Sequence, residues 1–110
     1  MESILTSIKK LLGPGADYTQ FDPDIITHIN TVFMSLNQMG VGPAKGFMIK
    51  DETSTWSDYI PDADMLKVEG VKTYIYIKVK LVFDPPASSS VMEALTRQAT
   101  ELEWRLTNHQ

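Results

Sequence analysis

The chain has 110 residues, 43% hydrophobic and 22% charged, with a net charge of -4 and no cysteine. That composition suits one globular domain around one core and excludes a disordered chain, disulfides and thiolate metal sites. The acidic balance argues against a protein whose main task is gripping phosphates, because that affinity comes from clustered Lys and Arg.

The opening stretch carries Ile4, Leu5, Ile8, Leu11 and Leu12 at the spacing of an amphipathic helix. Gly13 and Pro14 stop it, with Lys9 and Lys10 placed for the negative end of its dipole. These lysines follow the apolar residues and no small-residue cleavage site appears, so a signal peptide is not expected. After a polar link, Asp22 and Pro23 read as a capping residue and a first helical proline. Ile25, Ile26, Ile29, Val32, Phe33, Leu36 and Met39 then form one apolar face, and Gly40 ends the second helix. Its opposite face holds Thr27, Thr31, Met34, Ser35 and Gln38, where a solvated helix would carry Lys and Glu. Two readings fit: an ordinary surface of low charge, or burial against a neighbouring subunit, since interface cores lose charge and gain Met.

Between Val41 and Asp64 the pattern is irregular, with a short extended GFMI and an acidic polar run. Thr53 to Ile60 reads as one or two helical turns capped by Ser54 or Thr55, with Trp56, Tyr59 and Ile60 on one side and Pro61 closing. Trp56 is expected as a lid on the core. Asp58, Asp62 and Asp64 invite a metal reading, but they lack the glycine and terminal glutamate of a calcium loop.

The run from Val68 to Asp84, VEGVKTYIYIKVKLVFD, can be read with period two or with the helical period. The sixteen residues from Val68 to Phe83 would span about 50 Å as a strand at roughly 3.3 Å per residue. As a helix they span about 24 Å, against a radius of gyration of about 13 Å for a domain of this size. No internal turn signal allows a hairpin. The length predicts a central helix, with Val68, Val71, Ile75, Val79 and Val82 on one stripe and Tyr74, Ile77 and Leu81 on a second. Apolar on most of its circumference, it requires other helices on more than one side. Asp84, Pro85 and Pro86 end it.

In the last helix Ser90 and Glu93 can form a capping box, and Val91, Met92, Leu95, Ala99, Leu102 and Leu106 make the expected buried stripe. Glu93, Arg97, Glu101 and Arg105 alternate in sign on the far side, where Trp104 also projects. Trp is a preferred interface anchor. Met34, Gln38, Arg97 and Trp104 are therefore the candidate assembly residues.

Motifs that carry chemistry are missing. His28 and His109 have no ligands at metal spacing, His28 reads as a core-edge residue, and GPG and GVGP lack the phosphate-loop pattern. No nucleophile elbow appears, and an enzyme is not expected. The rival readings are a small helical DNA-binding module and a protein-binding regulator. Lys67, Lys72, Lys78 and Lys80 would be the basic element of the first, but they are spread around the proposed helix.

The order FDPDIITHINTVFMSLNQMGVGP, TWSDYI, VKTYIYIKVKLVFDPP, SSVMEAL and ELEWRL resembles the small head-tail connector (adaptor, or head-completion) proteins of tailed phages and prophages. The resemblance covers nearly the whole chain. It implies an all-α protomer, a compact single-domain bundle over residues 1–110 of about four main helices plus a short one. It further implies a dodecameric ring beneath the portal, extending the DNA channel towards the tail. The implied partners are further copies, the portal protein and a tail-side head-completion protein, with DNA passing through without sequence-specific binding. A virion component assembled in the host cytoplasm, with no membrane contact, no cofactor and no catalysis, completes the expectation.

Overall fold

The computed structural model describes residues 2–13, 18–60 and 65–107, the Met65 side chain apart. Among these residues five helices follow in order: α1 (Ile4–Leu12), α2 (Asp22–Gln38), the short α3 (Trp56–Tyr59), α4 (Met65–Phe83) and α5 (Ser89–Thr107). A 3-10 turn, Thr19–Phe21, leads into α2. Among the described residues there is no strand, only an isolated bridge between Ser3 and Thr55. The protein is all-α, as the length of the central run requires.

The central helix is α4, on which α1, α2 and α5 all pack. Both stripes expected on it enter the core, Val68, Val71, Ile75 and Val79 from one and Tyr74 and Ile77 from the other. A helix buried around its circumference needs apolar residues on every side, which explains why this run also alternates like a strand. Phe21, before α2, meets Phe83 at the end of α4 edge to face at 5.7 Å, so α2 and α4 run antiparallel. Leu106 lies over Gly70, where an added Cβ would sit 3.6 Å from its Cδ2, and Tyr74 meets Glu103, so α5 also runs antiparallel to α4.

α1 is stitched to the segment before α3. The Ser3 hydroxyl caps α1 by accepting from the Thr6 amide at 3.2 Å, the Ile4 amide donates to the Ser54 carbonyl, and the Trp56 amide to that of Glu2. Trp56 is buried within the core rather than lying over it, and its Nε1 donates to Ser7 Oγ at 2.9 Å. The Ser7 hydroxyl in turn donates to the Ile4 carbonyl at 2.9 Å. That relay satisfies an indole donor that would otherwise be stranded in the core. Thr55 and Asp58 form a capping box at α3, which occupies the Asp58 carboxylate. Asp62, Asp64, Pro61 and His109 lie outside the described residues. His28 is partly buried beside its apolar face.

Two local expectations are corrected. Asp22 is the first residue of α2 rather than its cap, and its carboxylate instead pairs with Lys9 at 2.7 Å, joining the end of α1 to the start of α2. The last helix starts at Ser89, two residues earlier than the Ser90–Glu93 box requires, so Ser88 Oγ accepts from the Val91 amide. The GFMI segment, expected as extended, is held by the Asn30 side chain, which binds both the amide and the carbonyl of Ile49, at 2.8 and 2.9 Å.

Tyr59 closes an aromatic cluster with Phe33, Phe47 and Trp56. Its ring lies so close to Gly42 (φ +89) that a Cβ there would come within 2.6 Å of the hydroxyl. That hydroxyl is buried and finds no hydrogen-bond partner among the described residues.

Candidate assembly interface

The two outer helices present unlike surfaces to the outside. On α2, Ile25, Ile29, Val32, Phe33 and Leu36 face the core. Opposite them Met34 is 60% exposed, with Thr27, Thr31 and Gln38 exposed alongside. The hydroxyls on this side fold back onto their own helix. Thr27 donates to the Pro23 carbonyl at 2.9 Å, Thr31 to that of Thr27 at 3.0 Å and Ser35 to that of Thr31 at 3.4 Å. A hydroxyl already bonded to its own backbone loses little when water is removed, whereas an unbonded one is costly to bury. Without Lys, Arg, Asp or Glu from Ile25 to Gln38, this face costs little to desolvate.

On α5 the side away from α4 carries Glu93, Arg97, Thr100 and Trp104, the last 66% exposed. Thr96, Thr100 and Thr107 repeat the same device, donating to the carbonyls of Met92, Thr96 and Glu103. Of the alternating charges only Arg105 and Glu101 form an ion pair; Arg97 and Glu93 form none among the described residues. Ser89, Met92, Glu93, Thr96 and Arg97 line a shallow open groove along the first half of the helix.

Tyr74 anchors α5 to the core, its hydroxyl donating to Glu103 Oε2 at 2.6 Å. Burial first, then this hydrogen bond and the carboxylate's charge, push the Tyr74 phenol well above its ordinary value of 10.0.

Because α2 and α5 both pack chiefly on α4, their outward faces point to different sides of the protomer. Met34 and Gln38 thus lie on one side and Arg97 and Trp104 on another. The structure does not bring the four together within one chain, and it leaves Met34 and Trp104 outside the protomer core. The expected burial of Val91 and Met92 is overturned: both are exposed, because α5 reaches past the element that covers its second half. Both keep the helical spacing of the expected stripe, and nothing in that spacing marks where cover ends. Exposed Tyr18 and Val82 were likewise missed, Val82 because it continues a core stripe. Among the described residues no cluster of His, Asp or Glu is arranged to hold a metal ion. No helix among them is long and apolar enough to cross a membrane.

The family described as Phage connector protein matches residues 4–110. The chain belongs to this phage connector family. No curated protein and no solved structure matches it. Its role is that of a structural connector of the phage particle.

Proposed function

We infer that this connector protein assembles with copies of itself into a closed, dodecameric ring beneath the portal vertex. There it extends the DNA channel towards the tail and meets a tail-side head-completion protein, after assembly in the host cytoplasm. A ring presents one patch to a different patch of the next subunit, and the contact closes if the rotation per subunit does. The supporting observation is a pair of outward faces on the two helices that flank α4, one exposing Met34 and Gln38 and the other Arg97 and Trp104. Met34 and Gln38 of one protomer seat against Arg97 and Trp104 of the next. Back-bonded hydroxyls lower the desolvation cost on both sides, and the indole and thioether supply the contact area. The unpaired Arg97 guanidinium finds an acceptor in the Gln38 amide of the neighbour or in the last carbonyls of its α2. An acidic chain suits a conduit, since transport needs DNA to slide rather than be captured. The chain acts without cofactor or catalysis.

Paired substitutions test this reading. Trp104→Ala and Met34→Asp are expected to leave the melting temperature of the isolated protomer within a few degrees, yet block ring formation in sedimentation velocity or electron microscopy with portal protein. An interfacial Trp in a desolvated pocket contributes about 2 kcal/mol or more, and in a ring that loss recurs at every contact. Both variants assembling normally would refute the assignment of these faces.

A further inference from the structure

Two apolar stripes run out of cover at the same end of the bundle, and a third helix exposes one leucine there. On α4, Val68, Val71, Ile75 and Val79 are buried, while Val82, next on the stripe, is 61% exposed. On α5, Leu106 and Ala99 are buried, Leu102 and Leu95 are partly covered, and Met92 and Val91 are exposed. On α1, Leu11 in the last turn is exposed although Ile8 and Leu12 are buried. The antiparallel courses set the end of α4 beside the starts of α2 and α5, and the Lys9–Asp22 pair brings the end of α1 to the same place. Exposed Tyr18 stands edge-on to Phe21, and Phe21 edge-on to Phe83. Five of the nine exposed large apolar side chains among the described residues thus gather at one end. Scattered surface apolars need no explanation, but a gathered set marks a binding surface.

We propose that this end of the bundle is a docking surface for an apolar segment, flanked by Lys or Arg, of a polypeptide other than this chain. The stripes keep helical spacing as they leave the core, so the end is an unfinished core that takes interdigitating apolar side chains. The rim selects the charge of the partner. Lys9 and Lys80 are consumed by Asp22 and Asp84, which leaves Asp24 and Glu93 without an ion pair among the described residues; the unpaired Lys78 and Arg97 lie a turn or more farther in. A second copy docking end to end would bring the same acids together, and like charges across an interface are unfavourable. A basic flank satisfies them. The lateral faces on α2 and α5 lie along the bundle and leave its end clear for a different partner. Residues 89–98 of α5 are exposed apart from Leu95. Docking therefore also covers the first half of α5.

The inference rests on the connector reading for its choice of probes, the portal protein and the tail-side head-completion protein from the same genome, tested separately. Val82→Asp and Met92→Asp in the full chain are checked for unchanged melting temperature. Binding is measured by interferometry, self-assembly by sedimentation velocity, and amide exchange of residues 89–98 with and without the bound protein. The expected result is intact self-assembly, at least a tenfold loss of affinity for one of the two proteins, and protection of 89–98 on binding by the unmodified chain. Unchanged affinity for both proteins overturns the proposal, as does failure of the unmodified chain to bind either. Loss of self-assembly in these variants also overturns it, because a second copy would then cover the end. Failure of the ring reading registers separately, in the Met34 and Trp104 variants.

Discussion

The two ends of α4 carry the same residue types on the same stripe, yet one lies in the core and the other in solvent. From Val68 to Val79 the stripe is covered by neighbouring helices; one turn later Val82 is bare. α5 repeats the contrast in reverse, covered at Leu106 and open at Val91 and Met92. Hydrophobic period tells which side of a helix faces the core, and it is silent on how far the covering helix extends. An apolar side chain beyond that limit is spare core, and spare core is what a partner covers.

The sharpest way to break this comparison is to shorten two side chains on the one stripe. Ile75→Ala, at a fully buried position, is expected to cost about 2 to 5 kcal/mol. Val82→Ala is expected to stay within about 0.5 kcal/mol in the free protomer. Urea unfolding of both variants reads the difference, and equal losses would mean that the uncovered end is covered in solution.

Next in size is the polar relay in the covered half. Ser7→Ala leaves the Trp56 indole nitrogen buried without an acceptor, for an expected loss of about 1 to 3 kcal/mol. Ser7→Thr, which can keep the acceptor, should recover part of it.

Two phenols in the covered half make stability depend on alkaline pH. Burial pushes Tyr59 up to about 12, and Tyr74 is raised further by burial, its bond to Glu103 and that charge, from an ordinary value of 10.0. The unfolded chain loses these protons first. The stabilisation is therefore fully present below pH 10 and is lost as pH rises through the folded-state values. Melting temperature should hold between about pH 8 and 9.5 and fall by several degrees above about pH 10, where an unchanged value would contradict the burial of both rings.

The smallest expected effect has the opposite sign. Tyr59→Phe removes a buried hydroxyl that has no partner among the described residues, so it should leave stability unchanged or raise it by up to about 1 kcal/mol. A clear loss in thermal denaturation would show that the hydroxyl is bonded after all.

The legibility of the fold in the sequence follows the same division. The central helix could be read because a strand of its length cannot fit in a domain this small, and α2 because seven apolar residues keep step with the helical period. The starts of α2 and α5 were misplaced because Asp22 and Ser90 are both capable caps, and the choice between rivals depends on tertiary partners: Lys9 draws Asp22 away, and Ser88 precedes Ser90. Met34 and Trp104 could be singled out because each interrupts the polar side of an amphipathic helix. Val82, Val91 and Met92 could not, since each keeps the rule of its own helix, and only the third dimension shows that the cover has ended.

Because the chain has no cysteine, the central claim, that the outward faces of α2 and α5 meet across the assembly contact, can be tested by site-directed cross-linking. Met34→Cys and Trp104→Cys proteins, mixed in equal amounts, assembled with portal protein and treated with a short bis-maleimide, should give mixed covalent dimers. The double variant should give a ladder of multimers. Assembled particles that yield no mixed cross-link, or only links between two copies of the same single variant, would contradict the head-to-tail contact on which the account depends.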